Sequence, residues 1–231
     1  MKLLLLLAVS FSTFSTTLSK FERVERDLLI YDKAIEKKKA EFSKIIKNEN
    51  DKDWIVQKLD HMVKIDQYMR DYFHTPTKKS YSKAEEKFFQ EKFMPRFRSI
   101  DSGNTQDLKK LIKKYGWFKI SEFGEKADKQ AWLLVQHADM DLDFQKEVLK
   151  TLSKLYLSGE TNKSNYAYLY DRVASIGEQR PQKYGTQGKC VGAGVWEPDE
   201  IEDVENVDKY RKSMGMVSMA EYKSWFKDIC K

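Results

Sequence analysis

Three stretches of this sequence combine acids, bases and amides at spacings that could move a proton or hold a polar ligand. In the first, Met62, Asp66, Met69 and Phe73 recur at i, i+4, i+7 and i+11, which puts Asp66 inside an apolar helical seam. A carboxylate there is costly unless paired. Arg70 stands one turn further on, on the same face, with Gln67 beside the acid. Two readings stay open: a buried pair that fixes helix register, or an acid and a guanidinium turned toward a ligand.

The second stretch is Gln136-His137-Ala138-Asp139, which closes the apolar run Ala131-Trp132-Leu133-Leu134-Val135. Histidine titrates near neutrality. His137 is therefore the candidate general acid or base, with Asp139 or the more distant Asp171 orienting it. The bland alternative is a satisfied structural histidine at a helix end. His61 and His74, the other two histidines, are expected near polar breaks. Three scattered histidines give no ligand spacing, so neither a metal nor a cofactor is expected.

The third stretch joins Tyr168, Asp171 and Arg172, on one helix face, to the loop Gln182-Lys183-Tyr184-Gly185-Thr186-Gln187-Gly188. Glycines permit tight turns, and the amides and hydroxyls could cradle a polar or anionic ligand. The candidate ligand-binding residues are thus Asp66, Gln67, Arg70, Gln136, Arg172, Tyr184, Thr186 and Gln187, with His137, Asp139 and Asp171 as catalytic candidates. Arg70 and Arg172 would hold an anionic group. No nucleophile stands out beyond Tyr184 and Thr186, so attack by water is an equal expectation.

These side chains need helices to place them. Phe21, Val24, Leu28, Tyr31 and Ile35 keep 3-4 spacing, continued by Phe42, Ile45 and Ile46, and predict a first long helix ended by Asn48-Glu49-Asn50-Asp51. A second spans about Lys52 to Phe73, stopped by Pro76. A third opens on a Ser82/Glu85 capping box and is expected to stop before Pro95, with Asp101-Ser102-Gly103-Asn104 as a turn before a short helix to Tyr115. The Ala131–Val135 run is apolar on every face and predicts a buried helix. Helices from about Leu142 to Leu157 and Ser164 to Ile176 follow, stopped by Gly159 and Gly177. Two short helices finish the chain, the last opened by Ser218 with Glu221. The expected fold is mainly α: a bundle of about eight helices, no convincing strands, and the glycine-rich loop from Gln182 to Gly194 across one end.

The start of the chain has the three parts of a secretory signal: basic Lys2, the apolar run from Leu3, and the small residues Ser15, Thr16, Thr17 and Ser19. The expected division is a signal peptide over 1–19, an N-terminal helical arm over 20–50 and a helical domain over 51–231. The alternative, a membrane anchor, wants a longer apolar run. Cleavage would lower the formal charge from +6 to +5, since Lys2 is the one charged side chain removed. Against 34% charged residues that surplus is small, and acids and bases alternate, so nucleic-acid binding is not expected. The two cysteines, Cys190 and Cys230, most simply form one disulfide in an exported protein.

The series Asp66-Gln67-x-x-Arg70, Tyr115-Gly116-Trp117, Gln136-His137-Ala138-Asp139, Phe144-Gln145, Ala167-Tyr168-Leu169-Tyr170-Asp171-Arg172, Gln182-x-Tyr184-Gly185-Thr186-Gln187 and Asp208-x-x-Arg211-x-x-x-Gly215 resembles a bacterial family catalogued only as a domain of unknown function. It covers about Leu59 to Tyr222. Members usually carry proline after the Gly-Trp pair, where Phe118 stands here. The resemblance implies a shared architecture and a set of positions, and no reaction. Three functional readings follow: a small hydrolase or lyase acting on a polar or anionic substrate, a non-catalytic module binding a small molecule, peptide or glycan, or a structural polar network.

Overall fold

The computed structural model describes residues 20–230; the signal peptide expected over 1–19 lies outside the described residues. Within them the fold is mainly α. Nine α-helices are present among the described residues: α1 (Glu22–Ser43), α2 (Lys52–Phe73), α3 (Thr75–Lys78), α4 (Lys83–Tyr115), α5 (Ile120–Gln136), α6 (Leu142–Leu155), α7 (Lys163–Arg172), α8 (Val207–Ser213) and α9 (Met219–Ser224). None is long and apolar enough to cross a membrane. Asp51 caps α2 by accepting from the Asp53 amide, and Ser82 and Glu85 close a full capping box on α4. Ser218 caps α9 by accepting from the Glu221 amide.

The helix from Ser82 does not stop before Pro95. It runs on through Asp101-Ser102-Gly103-Asn104 to Tyr115, so the expected turn is helical. A proline inside a helix removes one hydrogen bond and crowds the preceding turn. Burial on both sides of it outweighs that cost: Leu108 and Leu111 lie in one core, Phe89 and Phe93 in a second. The Arg96 guanidinium also donates to the Lys92 carbonyl in the disturbed turn (2.7 Å).

The first of these cores gathers Ile55, Leu59 and Met62 of α2, Leu134 and Val135 of α5, and Val148 and Leu152 of α6 around α4. The second is aromatic and is closed by α1, whose Val24, Leu28, Tyr31 and Ile35 cover Phe89 and Phe93. The α1 stripe ends sooner than its pattern suggested, since the helix stops at Ser43 and Ile46 is exposed. A third, smaller core lies under the C-terminal segment around Trp196, Val207, Met219 and Tyr222.

Strands do occur. The second half of the glycine-rich loop folds as an antiparallel hairpin, β1 (Gly188–Gly192) and β2 (Val195–Pro198), which pairs Cys190 with Trp196. Gly188 packs so tightly there that a Cβ would meet the Glu197 carbonyl oxygen at 2.2 Å. Gly177 is also a packing glycine and not a left-handed stop. It ends a π-helical turn, Val173–Gly177, and a Cβ would collide with Leu142. Cys190 and Cys230 form a disulfide, tying β1 to the chain end. His61 sits within α2, stacked on Phe42 at 4.4 Å, away from any helix break.

Candidate functional site

Asp66 is 1% exposed, so the acid in the apolar seam of α2 is fully buried. It is also fully paired. Its Oδ1 accepts from Arg70 Nε (3.2 Å), and its Oδ2 accepts from Gln67 Nε2 (2.7 Å) and lies 2.8 Å from His137 Nδ1. Burial alone would raise its pKa. The His137 hydrogen bond, the charges of His137 and Arg70, and Gln67 together hold it below the usual carboxylate range. With Asp66 ionised, Nδ1 of His137 must carry the proton and donate it to Oδ2. Arg70 Nε, 2.9 Å from the same nitrogen, then spends its own proton on Asp66. In the neutral ring, Nε2 is left with the free lone pair.

His137 is the C-cap residue of α5 and reaches Asp66 from across the α2–α5 packing. The third partner was not anticipated. Asp101, on α4 where a turn was expected, accepts from Arg70 Nη2 (2.9 Å). Burial pushes its carboxyl up to about 6; Arg70 opposes the shift, and the acids Asp66 and Asp139 reinforce it. Asp101 and His137 line one cavity of about 170 Å³, with Ser102, Thr105 and Met140 around them. Arg70 also lies over the Phe97 ring, at 5.0 Å.

Asp139, two residues beyond His137, belongs to a neighbouring group. Arg172 holds it in a fork, Nε to Oδ1 at 2.7 Å and Nη2 to Oδ2 at 2.5 Å, and donates from Nη1 to Gln187 Oε1 (3.2 Å). Gln187 in turn donates to the Thr186 hydroxyl. Gln145 ties this group to the end of α5, donating to the Val135 carbonyl (3.0 Å) and to Asp139 (3.3 Å). Gln136, 6% exposed, turns inward, and its Nε2 has no partner.

Asp171 does not reach His137. It is fully buried, and its two oxygens accept from the backbone amides of Lys183, Tyr184 and Thr186. Burial raises its pKa against the pull of those amides. The loop is closed from other sides as well. The Gln182 side chain accepts from the Gln187 amide and donates to the Gln187 and Asp199 carbonyls. Arg211, 1% exposed, donates to the Tyr184 carbonyl at 2.6 Å. The loop amides expected to cradle a ligand are therefore consumed by the protein itself. Tyr184 is buried, and of the loop's polar side chains Gln187 is the one that meets Arg172.

Thus Asp66, Gln67, Arg70 and His137 come together, Asp139, Arg172, Thr186 and Gln187 form the adjoining group, and Asp171, Gln182 and Arg211 are the scaffold beneath the loop. A similar hub was not foreseen at Asp128, which accepts from Trp117 Nε1 (2.7 Å) and Thr161 Oγ1 (2.6 Å). The Trp117 of the Tyr-Gly-Trp motif was its sequence signal, since a buried indole N–H needs an acceptor. Among the described residues no group of three or more His, Cys, Asp or Glu side chains could hold a metal ion.

The model of a family of unknown function, DUF6624, matches residues 54–230. The chain belongs to DUF6624. The DUF6624 span contains both polar groups, the loop with its Asp171 clamp, and Asp128; it leaves out α1. No curated protein and no solved structure matches the chain.

Proposed function

We propose that this chain is an exported acid–base enzyme, a small hydrolase or lyase, in which His137 removes a proton and Asp101 supplies one. One observation carries the reading: His137, oriented by a buried ionised carboxylate, and Asp101, a carboxylic acid held near pH 6, line the same cavity. A base and a raised acid side by side are what general acid–base catalysis requires. Water or a substrate C–H would give its proton to Nε2 of His137, and Asp101 would protonate the leaving group. The substrate group entering the cavity is polar and uncharged, because Arg70 and Arg172 are both committed to carboxylates. At about 170 Å³ the cavity takes the reacting end of a substrate rather than the whole of it. Export is supported by the apolar run that follows Lys2 and by the disulfide, a bond of oxidising compartments.

The competing reading is a structural network or a non-catalytic binding module, and what favours it is that same engagement of both arginines. The test is a turnover screen with ester, amide and β-elimination substrates on wild type, His137→Ala and Asp101→Asn. An enzyme loses activity in both variants without a fall in melting temperature, and wild-type turnover falls as pH rises through about 6. If no substrate turns over and His137→Ala melts several degrees lower, the side chains serve the fold.

A further inference from the structure

A polar cleft lies at the other end of α5, between that helix and the N-terminal turn of α7. Its volume is about 470 Å³, within the range of small-molecule sites. Asp128, in its floor, and His137 are separated by nine residues, about 13 Å at the helical rise of about 1.5 Å per residue. The two places are distinct.

The Asp128 carboxylate is saturated. Besides Trp117 and Thr161 it accepts from the Asn162 amide (3.1 Å) and Asn165 Nδ2 (2.9 Å). It therefore serves to fix the orientation of its neighbours. With Nδ2 of Asn165 spent, Oδ1 of that buried side chain remains as an acceptor. Asn162 is fixed the other way, its Oδ1 accepting from the Ser164 amide (2.9 Å) and hydroxyl (2.8 Å), so that its Nδ2 remains as a donor. Facing these amides are two rings, Trp132 and Tyr168, set edge to face at 5.9 Å. The Trp132 indole N–H is buried and has no acceptor in the protein. On the rim, Glu125 and Lys129 stand one turn apart and exposed.

The lining thus offers oriented neutral donors and acceptors, an aromatic wall, and one charge of each sign at the mouth. A saccharide has the matching duality, with hydroxyls that donate and accept around the ring edge and C–H groups on its faces. A zwitterion would want its charges met inside, where this cleft has neutral amides and rings. We propose that the cleft binds a neutral glycan, with a sugar ring against Trp132 and Tyr168 and its hydroxyls on Asn162 and Asn165.

The experiment is titration of the full chain with maltotriose, cellotriose, xylotriose and chitotriose, read by calorimetry and saturation-transfer NMR. At least one should bind at millimolar concentration or below. Trp132→Ala should weaken that binding by roughly tenfold or more, the scale of losing about 1.4 kcal/mol of ring contact. Lys129→Ala, an exposed rim change, should weaken it less and leave the melting temperature alone. His137→Ala should not affect it, so the result is independent of the acid–base reading. Three outcomes overturn the proposal: no trisaccharide binds at millimolar concentration, binding is indifferent to Trp132→Ala, or a dipeptide such as glycylglycine binds in a Glu125- and Lys129-dependent manner instead.

Discussion

Replacing Asp101 by Asn should stabilise the protein at neutral pH and not at acid pH. The folded carboxyl titrates at about 6 against an ordinary 3.8, because it is buried and faces other acids. A raised carboxyl favours the folded state where both states are protonated, below 3.8, and that contribution is lost as pH rises through about 6. At about 1.4 kcal/mol per tenfold change in proton affinity, the difference amounts to about 3 kcal/mol. The side chain is only 14% exposed, so solvent screening removes little of it. Asparagine keeps an oxygen for Arg70 Nη2 and has nothing to ionise. The stability of Asp101→Asn relative to wild type should therefore improve by about 2–3 kcal/mol between pH 4 and pH 7.5, or on the order of 5 °C in melting temperature. Urea unfolding at a series of pH values reads this directly. A variant whose effect is the same at both pH values would refute the reasoning, since the carboxyl would then ionise normally in the fold.

Asp171→Asn should destabilise by about 2–4 kcal/mol at neutral pH, because buried loop amides lose an ionic acceptor; urea midpoints measure it. Reducing Cys190–Cys230, or replacing both cysteines by serine, should cost roughly 4 kcal/mol in the chain-entropy account of a 40-residue closure, and non-reducing peptide mapping should recover the linked pair. His61 is held down to about 4 by burial and by Lys58, Lys64 and Lys38, so it stays neutral in the fold while the unfolded chain takes up a proton. Stability is consequently lost as pH falls from 6.5 toward 4, and His61→Phe, which keeps a ring against Phe42, should move acid unfolding monitored by circular dichroism to lower pH.

The sequence disclosed those features that depend on periodicity. Asp66 within an apolar seam, Arg70 one turn on and His137 at the end of a buried helix are local patterns, and the helices carry them to the same place. Asp101 was hidden for a physical reason. Asp-Ser-Gly-Asn is turn chemistry in isolation, and Pro95 is a stop, yet two cores grip α4 on either side and override both preferences. The direction of the loop's amides was not legible either. The pattern Gln-x-Tyr-Gly-Thr-Gln shows that amides are available, but whether they point outward or onto Asp171 is decided by backbone direction, which no side-chain pattern encodes. Lys189-Cys190-Val191 is too short to show the alternation of a strand, and what holds the hairpin lies far along the chain: Trp196 of β2 packs in the C-terminal core and Cys190 of β1 is bonded to Cys230 beside it.

α1 closes the aromatic core from outside the family's span. Phe89 and Phe93 lie inside residues 54–230, but the residues that cover them, Val24, Leu28, Tyr31 and Ile35, lie before it. A recombinant fragment trimmed to the family boundary would carry that aromatic face bare into solution. Such a surface recruits other copies of itself, so the practical limit of an expressible unit is set by where α1 begins, near Phe21, and not by where family resemblance starts.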